Sequence, residues 1–260
     1  MKTFAWAFAA VALASTLSSC SSDPDENATT PTTLFSGSTT SIEVEIDYQT
    51  GAAPYEGNAG RLGDVWQISQ QNVERIFLKG AKTVRIPNVV SQWESIGAST
   101  AANYTSDEIL EIAKVHRGVQ SGNGVAAFYV VFLDGIYQDA DGPQKDVLGV
   151  SIGQTGVLAM FKPVIAQSET VTPGISKVLE QTTLVHELGH AFGLVNNGIP
   201  LTTSHQDTEH GRHCTNESCV MNWSSERLAG ALNVARKFIT TGTTIVFDDA
   251  CLGDVDEMTK

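Results

Sequence analysis

Positive charge is in short supply in this chain: 16 Lys and Arg stand against 29 Asp and Glu, for a net charge of −13 over 260 residues. So acidic a surface excludes nucleic acid as a partner, and it excludes attachment to anionic lipid headgroups by charge. No apolar run beyond residue 17 is long enough to cross a membrane. No internal repeat is visible, which excludes a solenoid or propeller array. Cysteine is scarce, with four in all: Cys20, Cys214, Cys219 and Cys251.

What is present begins with an export signal. Lys2 supplies a small positive region, and residues 4–17 form an apolar run too short for a permanent spanning helix. The run closes in Leu17-Ser18-Ser19-Cys20, which resembles the lipobox cut by lipoprotein signal peptidase. That resemblance implies that residues 1–19 are removed and that Cys20 becomes the lipidated first residue. An ordinary secretory signal with a chance cysteine is the plainer alternative. The expectation is an exported protein anchored to the cell envelope by its acyl chains, with the outer membrane favoured and the membrane face left open. Residues 20–40 are rich in Ser, Thr, Asp and Pro and read as a flexible tether. The acidic run Asp23-Pro24-Asp25-Glu26 either resembles a surface-export signal or is a solvated linker. The oligomeric state is open, with a monomer expected.

Residues 41–260 fit one domain or two tightly joined lobes, divided near 193/194. Residues 41–48 alternate apolar and polar, as a half-buried strand does. Residues 62–79 carry helical spacing and stop at Gly80, and 82–86 read as a short strand. Ser106 is the expected cap of a helix over 107–117, whose terminal His116 complements the helix dipole. Residues 125–133 are almost continuously apolar, as in a central strand buried on both faces. The Gly- and Asp-rich stretch 134–145 reads as a surface loop, and 147–152 and 157–161 as short strands. A long helix is expected from about 175 to 192, another over 228–239, and an extended piece at 244–247. Strands mixed with helices point to an α+β architecture.

The long helix carries His186-Glu187-Leu188-Gly189-His190, followed by Ala191-Phe192-Gly193. Residues four apart stand on one face of a helix, so His186 and His190 can ligate one zinc ion while Glu187 reaches a water beside it. Zinc needs a third protein ligand and an open position for water. Gly193 is placed to end the helix in a left-handed conformation and turn the chain back.

The pattern HExxHxxG resembles the metzincin zinc peptidases, whose third His follows three residues after the Gly and precedes a tight turn containing Met. Here that slot is Asn196, a departure from the pattern. Further on, His213-Cys214, then Cys219 and Met221, are similar to the corresponding segment of the archaemetzincins, as though residues 195–212 were inserted. The resemblance covers about forty residues. It implies an α+β zincin-like domain: a twisted mixed sheet packed on helices that include the motif helix, with a small C-terminal subdomain. It implies His213 as third ligand, ahead of His205, Asp207 and His210 within the insertion, and Met221 as the residue of the Met-turn. The losing histidines would bond acids such as Asp207 or Glu209.

The archaemetzincins carry a further CxxC that joins the first two cysteines around a structural zinc, and this chain has none. In an exported protein a Cys214–Cys219 disulfide is then the first expectation, with Cys251 pairing as the alternative and one thiol left over.

The activity implied is hydrolysis of peptide bonds in a peptide or protein substrate by a single zinc ion, with Glu187 as general base. The sheet edge around 157–161 is the expected docking place for an extended substrate. Two other readings stay open: a non-catalytic zinc-binding surface lipoprotein acting as an attachment module, and an enzyme kept latent by the insertion.

Overall fold

The computed structural model describes residues 30–170 and 174–260. The export signal, Cys20 and the acidic run 23–26 lie outside the described residues. α1 (Pro31–Phe35) is capped by Thr30 and buries Leu34 and Phe35, with Phe35 stacked on Phe77 at 5.2 Å. The folded part therefore starts inside the stretch read as tether. Leu34 and Phe35 are the large apolar side chains there, and burying them is favourable.

β1 (Ser41–Tyr48) follows with the expected alternation. α2 (Gln67–Phe77) is shorter than its periodicity suggested, because Gly63 at φ 73° separates it from the single 3-10 turn at Gly60–Leu62. Next come β2 (Thr83–Arg85), β3 (Glu94–Ser95), β4 (Asn103–Tyr104) and α3 (Ser106–His116). The cap of α3 is Thr105 rather than Ser106. The Thr105 side chain accepts from the backbone N–H of Glu108 while the Glu108 carboxylate accepts from that of Thr105, a reciprocal capping box.

β5 (Val125–Leu133) is the central strand foreseen from its apolar run. The expected loop at 134–145 is instead a hairpin of β6 (Ile136–Asp139) and β7 (Gly142–Gln144), with Gly142 at φ 111° at its tip. β8 (Gly149–Ser151) and β9 (Val157–Phe161) complete the main sheet, in the order β2-β1-β5-β9-β8. All pairings along it are parallel except β8 on β9. This corrects the expected substrate edge: residues 157–161 are an inner strand, and β8 is the rim.

After α4 (Lys162–Gln167), α5 (Ile175–Phe192) carries the motif and is buried almost all round. β10 (Gln206–Asp207) and β11 (His213–Cys214) pair antiparallel. α6 (Leu228–Thr241) follows, and α7 (Asp249–Met258), which the sequence reading missed, ends the chain. The stretch 244–247 forms no strand, but Val246 accepts one backbone bond from Val220. The result is an α+β domain built on a mixed sheet. No described helix is long and apolar enough to cross a membrane.

Candidate metal centre

The motif helix ends as its sequence dictates. Gly193 sits at φ 92°, and its N–H closes back on the carbonyls of Gly189 and His190. Val195 and Asn196 continue the turn at φ 52° and 60°, a left-handed conformation that side chains rarely adopt. The chain is thereby sent away from the helix and returns eighteen residues later as β11. Asn196, in the simple third-ligand slot, points elsewhere and donates to Gln206 at 2.9 Å.

His186, His190 and His213 converge. The Nε2 of His190 lies 3.0 Å from that of His186 and 3.2 Å from that of His213. The outer nitrogens are already committed: His186 Nδ1 donates to the Val220 carbonyl and His213 Nδ1 to the His210 carbonyl, both at 2.6 Å. In the neutral ring this leaves Nε2 of each as a bare lone pair aimed inward. Burial, and after it the neighbouring His213 imidazole, pull the His186 pKa down to about 4, and burial likewise holds His190 well below the usual value. Both are therefore neutral, as ligands must be. One proton on His190 cannot satisfy both neighbours, whereas a cation satisfies all three. The donor set fits zinc.

Glu187 is buried beside this cluster, against β8: a Cβ on Gly149 would stand 3.0 Å from its Cγ, and the Ser151 backbone bonds its carboxylate. Burial, then the charge of Glu226, push its pKa well up. A dication at the imidazoles acts in the opposite sense. Met221 lies fully buried beneath the helix, so close under Gly189 that a Cβ there would collide with its sulfur. A cleft of about 430 Å³ opens over the cluster, walled by Glu187, His190, His213, Glu226, Arg212 and the strand residues Gly149 to Ser151.

Glu226 is a residue that sequence reasoning missed. Its Oε1 stands 2.9 Å from His213 Nε2, and the four side chains form one potential metal-binding group. It follows Met221 by five residues, a spacing that no helical or strand period links to the motif.

The other histidines of the insertion do not reach this cluster. His210 pairs with Asp207 at 2.7 Å and lies flat against the Trp223 ring at 4.3 Å, so these two hold the outer surface of the insertion. His205 turns the other way. Its Nε2 donates to the buried Asp254 carboxylate at 2.7 Å, and its Nδ1 faces Cys214 Sγ at 3.5 Å and Cys251 Sγ at 4.0 Å.

The expected Cys214–Cys219 disulfide is absent. Cys214, Cys219 and Cys251 are free, buried thiols, and with Asp248 they form a second potential metal-binding group. The reason is α7: Asp248 caps it and Cys251 stands one turn in, so the last helix brings a third sulfur to the pair. Hydrogen bonds from Cys219 and Cys251 hold the Cys214 thiol far below its ordinary range, favouring a thiolate. The sequence signal was Asp248 and Cys251, three apart at a helix start.

The chain matches no protein-family model and no curated protein sequence. Among solved structures it is similar to an archaemetzincin from Methanopyrus kandleri, at 16% identity over 85% of this chain and 96% of that one, with a TM-score of 0.47. It is also similar to a zinc-dependent peptidase from Methanocorpusculum labreanum (strain Z), at 15% identity over 82% of this chain and 99% of that one, with a TM-score of 0.42.

Proposed function

We propose that this protein is a zinc endopeptidase. The observation that carries the reading is the convergence of three inward-facing imidazole nitrogens beside a buried carboxylate, at the floor of an open cleft. His186, His190 and His213 hold the ion. Bound there, zinc supplies a Lewis acid for the scissile carbonyl and brings the pKa of an adjacent water toward ~7. Glu187 accepts the proton of the attacking water and hands it to the leaving amine. The buried wall around Glu187 keeps that carboxylate basic near neutral pH. The outer edge of β8 binds an extended peptide as an added strand, with backbone bonds fixing its direction across the cleft.

Cys214, Cys219 and Cys251 hold a second, structural zinc, with His205 Nδ1 as fourth donor. Asp248 is the weaker candidate for that place. Its oxygens already accept from the Cys251 N–H at 2.9 Å and from Asn216 Nδ2 at 2.8 Å. Asp254, by contrast, orients His205 in the way a carboxylate orients a ligating imidazole.

Glu187→Gln tests the catalytic assignment. The variant is expected to keep its zinc content and to lose about 10²- to 10⁴-fold in kcat on a fluorescently labelled unfolded protein substrate. Undiminished hydrolysis by zinc-loaded variant protein would remove Glu187 from the mechanism. A closed, non-catalytic zinc site is the second reading, and one observation favours it: Glu226 offers a fourth donor.

A further inference from the structure

Glu226 stands on the wrong side of His213 to be an orienting residue. A carboxylate that orients a metal-binding imidazole takes the proton of the outer nitrogen. In His213 that proton is already spent on the His210 carbonyl at 2.6 Å. Glu226 instead meets Nε2, the inner nitrogen, at 2.9 Å. Without a metal, a proton on that nitrogen donates to the carboxylate and the contact is an ion pair. A metal ion in place of that proton is shared by both groups, and the donor atoms of His186, His190, His213 and Glu226 all lie within 4.8 Å of one another.

Resting on the peptidase reading above, we propose that Glu226 is a built-in fourth ligand that closes the zinc centre at rest and must leave it for hydrolysis to occur. The fold permits this only at the side chain. Glu226 ends a single 3-10 turn, Trp223–Glu226, and its carbonyl accepts from Leu148 N–H. The next residue, Arg227, bridges to Val147 and holds Asp146 at 2.7 Å. The backbone is thus tied to the lead-in of β8 on one side and to the Met221 turn on the other. The side chain is 41% exposed and opens onto the cleft, whose wall also carries Arg212 as a cation for a displaced carboxylate. A peptide laid along β8 enters the cleft beside Glu226, so substrate binding and release of the carboxylate compete for one space. The arrangement unites the two readings of the site, closed without substrate and open with it.

The test uses the whole protein loaded with cobalt(II), whose visible spectrum reports coordination, and azide as an anionic probe of an open position. The wild-type spectrum is expected to be that of four protein ligands and to respond little to azide. Glu226→Gln is expected to bind azide at least about tenfold more tightly, to bind zinc at least about tenfold more weakly, and to show a raised kcat. If the wild-type cobalt protein takes up azide as readily as the variant, the inference falls, with the peptidase reading untouched. Zinc affinities of the two proteins within about twofold overturn it as well. Failure of the wild-type protein to take up either metal overturns the inference together with the reading beneath it. The wild-type azide titration decides the matter even where the variant folds poorly.

Discussion

Gly189 stands inside the motif helix, where glycine costs roughly 0.5–1 kcal/mol relative to alanine. The reason for it lies underneath. A Cβ at this position would collide with the sulfur of Met221 and stand 3.3 Å from the Phe247 ring. Gly189→Ala should therefore destabilise by about 1–3 kcal/mol, as overpacking does, despite its better helix propensity. It should also weaken zinc binding by moving His190 or the Met221 turn. Thermal unfolding and zinc affinity measured together check this, and a stabilised variant with unchanged affinity would show the contact to be slack. At this scale His186, Glu187 and His190 were legible because a helix fixes the spacing. His213 was legible only through its neighbours Cys214, Cys219 and Met221. Nothing local distinguishes Glu226 from other surface acids, since its place depends on how two loops meet.

Asp47 belongs to the scale of elements, because it is a cost carried by the pairing of β1 with β5. It is buried in β1, accepts from the Tyr129 hydroxyl of β5 at 2.8 Å, and leaves its other oxygen without a partner. Burial, with the charges of Glu45 and Glu94 adding to it, pushes its pKa up to about 6 from 3.8. The proton is thus bound more tightly in the folded state. The resulting stability is fully present below the unfolded value and is lost as pH rises through about 6, above which the buried charge opposes folding. Asp47→Asn should raise the unfolding temperature relative to wild type at pH 8 and give little or no gain at pH 4. A difference independent of pH would show that Asp47 does not titrate in this range. Among the elements, β1, β5 and the motif helix were readable from period and apolar length, and α5 has the expected ends. The errors came where a tertiary partner decided the outcome. Phe35 folds onto Phe77 and Leu34 joins the same core, and so they claim residues that composition had given to the tether. β9 lies inside the sheet because β8 returns antiparallel to cover it.

At the scale of the whole molecule, the insertion is held at two points. Asp254 of α7 receives His205 and both the N–H and the hydroxyl of Thr202. The thiols tie β11 to α7. If they hold zinc, the protein as isolated should carry two zinc ions per chain. Cys251→Ser should remove one of them, lower the unfolding temperature, and weaken the remaining zinc by about tenfold although all its donors are intact. Metal analysis with calorimetry checks each part. A single zinc ion in the wild type, accompanied by a Cys219–Cys251 disulfide, would replace the structural ion with a covalent link. This group was not legible in the sequence, because no CxxC accompanies Cys214 and Cys219 and Cys251 stands alone. The missing donors came from separate places, an insertion histidine and a helix cap, and no spacing rule connects those to Cys214.

His213 and Cys214 are consecutive residues of β11, and successive side chains on a strand point to opposite faces. A single dipeptide therefore faces both potential metal-binding groups at once, and with both filled it would act as a lever with an ion at each end. If both hold zinc, loss of the sulfur-side ion is expected to disturb the imidazole on the other face, so the two sites should fill and empty in concert.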